Sequence, residues 1–254
     1  MNERKGNIIG KITGELGMAS FPREVIHIQN FERARKHLKT GSVLLYFNHV
    51  DTLDLLPLGK TIEEYLTSLD RVSAMFAMKY LDPNRGKGSK IKSYLIHSWE
   101  ESFGLTALPI VQTKKEKKSE DEAERELETE FYEHAKEINR DSLNRAREIL
   151  DEPGNVLCIA IEGTRSTTGA LLQAERGFEL LLRRNQETAL AQPIAVVHTR
   201  IKPIITRTRI LIPESFTYQE IKAEQEANPG ITIPDLAMQR IARELPPQNR
   251  GYYR

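Results

Sequence analysis

Strand-length apolar runs recur along this chain and alternate with helical patterns, and this alternation constrains the fold more than any other feature. The continuous apolar run Ser42–Phe47 has the length and composition of a buried strand. Strands that are apolar throughout are typical of parallel sheets that helices cover on both faces. We therefore expect an α/β fold, with a mixed, mostly parallel central sheet flanked by helices. The further predicted strands are residues 71–78, 105–111, 155–161, 193–198 and 208–212.

The length of 254 residues is compatible with a single domain, which we expect to span residues 1–254. Residues 1–38 are predicted to form a helical N-terminal segment that includes a short amphipathic helix. Packing of that helix on the core and contact with a membrane both remain open. Residues 213–254 are predicted to wrap around the domain as a tail that contains one helix. The apolar face of the N-terminal helix is predicted from Ile8, Ile9, Ile12 and Leu16.

A strongly charged stretch at residues 114–140 is predicted to be a helical insertion. It opens K-K-E-K-K-S-E-D-E-A-E-R, with charges of both signs at helical spacing. Such a pattern indicates a solvated helix that is stabilised by ion pairs one turn apart. The alternative is a docking arm for a partner or for lipid headgroups.

Charge and cysteine content exclude several functional classes. Lysine plus arginine is 37 and aspartate plus glutamate is 36, so the net charge of +1 argues against a dedicated nucleic-acid binder. The single cysteine, Cys158, can form no internal disulfide and no multi-cysteine zinc site, which suits a reducing compartment. The histidines lack metal-ligand spacing, so we predict no metal site. No apolar run approaches the roughly 18–20 residues of a membrane span, although the protein could lie on a membrane.

The first candidate site begins where the strand Ser42–Phe47 ends. The sequence continues as N-H-V-D-T-L-D, which places His49 in a strand-to-helix turn and Asp54 in the first turn of the next helix. Ligands of open α/β sheets bind at the carboxyl ends of the strands. A carboxylate that folds back onto the imidazole can orient the ring and make it a general base. Capping of the helix is the alternative task for the carboxylate.

The second candidate site, E-G-T-R-S, follows another predicted strand. Gly163 allows a sharp turn or a close approach of the backbone to a ligand. Arg165 offers a planar fork that suits a phosphate or a carboxylate. Glu162 could orient Arg165 or accept a hydrogen bond from a substrate hydroxyl. A purely structural Glu–Arg pair in a turn is the alternative.

Together, the N-H-x-x-x-x-D and E-G-T-R-S-x-x-G patterns, each after a strand, resemble the PlsC-like lysophosphatidic acid / glycerol-3-phosphate acyltransferase family. The resemblance implies that His49 is the general base and Asp54 its partner. Lys79, in F-A-M-K-Y-L, stands where the family carries a phosphate-binding lysine. The resemblance further implies that the glycerol-phosphate part of the acceptor is bound by Glu162, Gly163, Thr164 and Arg165.

The implied activity is transfer of a fatty acyl group from an acyl thioester to a hydroxyl of a glycerol-phosphate acceptor in phospholipid biosynthesis. The acceptor indicated first is 1-acyl-glycerol-3-phosphate. Acyl-CoA or an acylated carrier protein would be the co-substrate, with no further cofactor. No G-x-S-x-G nucleophile motif is present, so direct transfer is expected. The resemblance also implies a peripheral enzyme on the cytosolic face of a membrane.

Three positions depart from the family pattern. Asp51 stands where serine is frequent, Ile161 where proline is usual, and Gln112 where an arginine is usual. These departures keep two alternatives open. One is acylation of glycerol-3-phosphate or another acceptor. The other is a non-catalytic homologue that binds lipid or an acyl carrier, against which the intact His49 and Asp54 argue.

Overall fold

The computed structural model describes residues 23–49, 55–77, 97, 100, 104–111, 122–164, 166, 168–200 and 206–254. The strands among them are β1 (Arg23–Ile26), β2 (Ser42–Phe47), β3 (Val72–Ala77), β4 (Thr106–Ile110), β5 (Val156–Ala160), β6 (Ala189–Arg200) and β7 (Thr206–Leu211). The α-helices among them are α1 (Phe31–His37), α2 (Leu55–Tyr65), α3 (Glu122–Asp151), α4 (Gly177–Arg184), α5 (Tyr218–Ala227) and α6 (Ile233–Glu244).

The seven strands form one sheet in the order β1-β7-β6-β2-β5-β3-β4. Neighbouring strands are parallel except for β6 and β7, which are antiparallel. The predicted mixed, mostly parallel sheet is therefore confirmed. In the centre, β2 lies between β5 and β6, so both of its edges are hydrogen-bonded.

The alternating side chains of β2 serve two hydrophobic cores, one on each face of the sheet. Val43, Leu45 and Phe47 belong to the first core, and Leu44 and Tyr46 to the second. Successive side chains of a strand point to opposite faces, and here both faces are covered by helices. This double coverage explains why β2 is apolar along its whole length.

The helices divide between these two cores. Buried residues of α1 and α2 pack in the first core, and buried residues of α3, α4, α5 and α6 pack in the second. Tyr46 fixes α6 to the sheet, since its buried hydroxyl donates to Ala237 O at 3.0 Å. Its ring also packs against Phe178 of α4, with the ring centroids 4.7 Å apart.

The charged stretch forms much of α3, and the later part of that helix packs on the sheet. Asn139 donates to Val111 O at 2.9 Å and accepts from Val111 N at 2.8 Å, just beyond β4. One turn later, Ser142 donates to Pro109 O at 2.6 Å. Lys136, by contrast, is exposed. Residues 112–121, where the charged stretch opens, lie outside the described residues.

The sequence predicted six of the seven strands and missed β1 and α5. Strand β6 is also longer than the predicted residues 193–198. Helix α5 begins with a capping box, in which Thr217 Oγ1 accepts from Glu220 N at 3.2 Å and Glu220 accepts from Thr217 N at 2.7 Å.

The predicted amphipathic helix within residues 1–38 precedes residue 23 and lies outside the described residues. None of the described helices has an apolar stretch as long as a bilayer crossing requires.

Candidate functional site

The two candidate blocks leave the sheet side by side. Strands β2 and β5 are parallel neighbours, and their last residues, Phe47 and Ala160, face each other in the register. Immediately beyond them, Ile161 N donates to Phe47 O at 3.2 Å. The carboxyl ends of adjacent parallel strands thus bring His49 and Glu162 to one edge of the sheet, where open α/β sheets bind ligands.

The side chain of Asn48 continues the hydrogen bonding between β2 and β6 beyond the last residue of β2. Its Nδ2 donates to Val196 O at 2.9 Å and its Oδ1 accepts from Val196 N at 2.7 Å, in the way that a backbone amide of β2 would pair with β6. The residue is buried. The sequence motifs predicted no role for Asn48, although a polar residue directly after a buried strand was a signal for one.

The second block holds both backbone polar groups of His49. The His49 N–H donates to Glu162 Oε2 at 2.7 Å, and the His49 C=O accepts from Ser166 N at 3.0 Å. His49 as a whole is half-buried, and its ring lies edge-on to the Phe47 ring, with centroids 6.3 Å apart. The position of the histidine therefore depends on residues that are distant in sequence.

Glu162 is a buried carboxylate that joins two loops. Only 2% of the residue is exposed, its Oε1 accepts from Leu172 N at 2.6 Å, and its Oε2 accepts from His49 N. Hydrogen bonds to an ionised group are stronger than neutral ones, and a buried carboxylate needs them. The resemblance implied that Glu162 contacts the acceptor, which stays a prediction. The sequence motifs did not predict this link between His49 and Leu172.

Gly163 and Thr164 form the turn that follows. Gly163 has φ of +64°, a conformation that favours glycine, and its N–H donates to Ala160 O at 3.0 Å. The glycine is exposed and Thr164 is half-buried. Glu175 lies over the turn, because a Cβ on Gly163 would be 2.9 Å from its Cγ. The predicted binding turn therefore presents backbone at the surface beside His49.

The other predicted site residues lie outside the described residues: Asp54, Lys79 and Arg165. The pairing of His49 with Asp54 and the phosphate clamp of Lys79 and Arg165 therefore stay predictions. Two of the three positions that depart from the family pattern, Asp51 and Gln112, also lie outside the described residues.

Cys158 is in the middle of β5 and is buried, as its apolar surroundings predicted. Burial raises the pKa of its thiol to about 12, so the group stays protonated near neutral pH. Among the residues that the structure describes, no group of three or more His, Cys, Asp or Glu is arranged to hold a metal ion.

Among solved structures, this chain is similar to the 1-acyl-sn-glycerophosphate (LPA) acyltransferase PlsC from Thermotoga maritima, with 13% sequence identity and a TM-score of 0.49. The match covers 96% of this chain and 80% of that chain. No family model matches this sequence, and no curated protein matches it at a significant level.

Proposed function

We propose that this protein is an O-acyltransferase that moves a fatty acyl group from an acyl thioester to a hydroxyl of a glycerol-phosphate acceptor. The acceptor proposed first is 1-acyl-glycerol-3-phosphate, and glycerol-3-phosphate is the second. The donor is acyl-CoA or an acylated carrier protein.

One observation carries the proposal beyond the sequence motifs. His49 follows β2, Glu162 follows the adjacent parallel strand β5, and the Glu162 carboxylate accepts the His49 N–H at 2.7 Å. Two motifs that are far apart in sequence thus form one structural unit at the carboxyl ends of the strands, where open α/β sheets generally bind ligands. A chance resemblance of two unrelated turns gives no reason for the motifs to meet.

In the proposed reaction, His49 Nε2 removes the proton from the acceptor hydroxyl as its oxygen attacks the thioester carbonyl. A new C–O bond forms, the C–S bond breaks, and the thiol leaves after taking up the proton from the imidazolium. Asp54 is proposed to stabilise that imidazolium. General base catalysis by a positioned side chain contributes about 10²–10⁴-fold to a rate.

Recognition of the acceptor is assigned to the second block and to Lys79. Arg165 supplies a guanidinium fork for two phosphate oxygens, and Lys79 adds a point charge. Gly163 and Thr164 border the bound glycerol-phosphate part. An Arg165→Lys variant should raise the acceptor KM, because lysine cannot reproduce the bidentate geometry.

The first test measures thiol release from acyl-CoA with and without 1-acyl-glycerol-3-phosphate, in the wild type and in His49→Ala. Release that depends on the acceptor should fall by at least 10²-fold in the variant. His134→Ala is the matched control, because His134 is exposed on α3, and it should retain full activity. If neither acceptor supports release with either donor, the chain is not this acyltransferase, and a binding protein becomes the better account.

Association with a membrane surface is a separate part of the proposal. The amphipathic pattern in residues 8–16 would lie in the interface on the cytosolic face. Sedimentation with anionic vesicles, for the full chain and for a chain that lacks residues 1–20, tests it. Binding that survives the deletion would remove the N-terminal segment from this role.

A further inference from the structure

The last residues of the chain run along the loop that follows the candidate binding turn. Asn249 O accepts from Leu171 N at 2.9 Å, and Leu171 O accepts from Tyr252 N at 3.1 Å. Asn249 Nδ2 also donates to Gly169 O at 2.9 Å. We call residues 249–253 the C-terminal strap. This exchange of backbone hydrogen bonds ties the strap to the loop in the way that neighbouring strands are tied.

Tyr253 anchors the strap to both the loop and helix α6. Its hydroxyl accepts from Ala174 N at 2.8 Å and donates to Asp235 Oδ1 at 2.8 Å. Burial, together with the bond to the Asp235 carboxylate, holds the pKa of this phenol well above its usual value. The proton that Tyr253 donates is therefore retained throughout the neutral range.

The strap leaves no room for a side chain at its centre. Gly251 has φ of +50°, and a Cβ built there would collide with Leu171 O and Leu171 N. The contact between strap and loop is consequently backbone against backbone, a close approach that glycine permits.

The same loop reaches the candidate catalytic histidine in two further steps. Leu172, next to Leu171, donates its N–H to Glu162 Oε1 at 2.6 Å. The other oxygen of Glu162 accepts the N–H of His49 at 2.7 Å. Hydrogen bonds thus connect the strap to the loop, the loop to Glu162, and Glu162 to His49.

We propose that the C-terminal strap is a positioning element for the candidate active site. It fixes residues 169–174, which keeps the Leu172 N–H on Glu162 and so holds the His49 turn in place. The catalytic consequence rests on the proposed function, whereas the structural coupling does not. Tyr253 is a positioning residue here, since its hydroxyl touches Ala174 and Asp235 and reaches the site only through the loop.

The test compares Tyr253→Phe with Tyr252→Phe. Tyr252 is 61% exposed and its side chain makes no hydrogen bond in the part of the chain that the structure describes, so it is a matched control one residue away. Native-state amide hydrogen exchange is measured at Ala174, Leu172 and His49. All three amides should exchange at least tenfold faster in Tyr253→Phe and at the wild-type rate in Tyr252→Phe. Faster exchange at Ala174 alone would overturn the proposal, because the strap would then be only a local anchor.

Acyl-transfer kinetics distinguish a failure of this inference from a failure of the proposed function. In Tyr253→Phe, kcat should fall while the donor KM stays near its wild-type value. If wild type shows no acyl transfer, the proposed function fails, and the exchange rates alone then decide the coupling. Should Tyr253→Phe not fold, Asn249→Ala removes only the bond to Gly169 and should increase exchange at Leu172 and His49 by a smaller factor. Unchanged exchange at both amides in that variant would overturn the coupling.

Discussion

The carboxylate of Glu162 accepts the backbone N–H of His49 at 2.7 Å, although the two residues are 113 positions apart in the sequence. This bond makes the turn that carries the histidine dependent on the second block. Ser166 N, from the same block, holds the C=O of His49 at 3.0 Å. The second block therefore supports the histidine in addition to the acceptor binding that the resemblance implies for it.

Removal of the charge from Glu162 should reduce both activity and stability. In Glu162→Gln, one of the two backbone N–H groups faces an amide NH2 group and loses its acceptor, at a cost of about 1–3 kcal/mol. The His49 turn then shifts, and a displacement of about 1 Å can cost roughly 10²-fold in rate. Acyl-transfer kinetics and denaturant unfolding measure the two effects.

The matched control for this experiment is Glu187→Gln, because Glu187 is exposed and the substitution removes the same charge. It should leave the rate and the free energy of unfolding unchanged. Wild-type kinetics in Glu162→Gln would show that the carboxylate does not position His49.

The strands beside the site were predictable because both of their faces are buried. Ser42–Phe47 was predicted with its observed bounds, since a helix covers each face and the apolar run is continuous. Strand β1 was missed because Arg23–Ile26 is short, half-exposed and partly charged. Its pairing with β7 joins distant parts of the chain, so no local pattern in the sequence indicates this strand.

The partnerships within the site could not be read from the sequence. The motifs identified His49 and Glu162 as site residues, but motif spacing carries no information on which atoms meet. Asn48 pairs with Val196 because β6 continues past the end of β2, and only the register of the sheet reveals this. The contact of the C-terminal strap with the loop at Leu171 likewise depends on the path of the chain in space.

A side chain at position 163 should lower the free energy of unfolding mainly because of the backbone conformation there. Its φ of +64° costs an ordinary residue about 1–2 kcal/mol. The crowding by Glu175 Cγ is secondary, since that side chain is exposed and can move. Gly163→Ala should therefore lower the free energy of unfolding by about 1–2 kcal/mol. Gly163→Asn should lose less, because asparagine tolerates this conformation better.

Denaturant unfolding of the two Gly163 variants, alone and combined with Glu175→Ala, separates the two causes. Addition of Glu175→Ala should not rescue Gly163→Ala. A full rescue would mean that crowding by Glu175, and not the backbone conformation, limits the position.

The buried thiol of Cys158 should make stability depend on pH in the alkaline range. Burial raises its pKa from an ordinary value of 9.0 to about 12. Between these values the unfolded chain loses the proton and the native protein keeps it, so the free energy of unfolding falls as pH rises. The slope from this group is at most about 1.4 kcal/mol per pH unit.

Cys158→Ala isolates this contribution, because other alkaline titrations are common to both proteins. The stability of the wild type relative to the variant should be constant below pH 9 and decrease above it. Denaturant unfolding at several pH values up to 11 measures the difference. Parallel curves throughout would show that the thiol does not titrate differently in the two states.

Substitutions of Asn48 should lower the free energy of unfolding, because its side chain both donates to and accepts from the Val196 backbone. Asn48→Ala leaves that buried N–H and C=O without partners, at a cost of about 1–3 kcal/mol for each group. Asn48→Asp keeps the bond to the N–H but places a buried carboxylate oxygen against the Val196 carbonyl. An unpaired buried charge is more costly than a missing polar group, so Asn48→Asp should be the less stable variant at neutral pH. Urea unfolding at pH 7 gives the order, and the reverse order would mean that water reaches the end of β2.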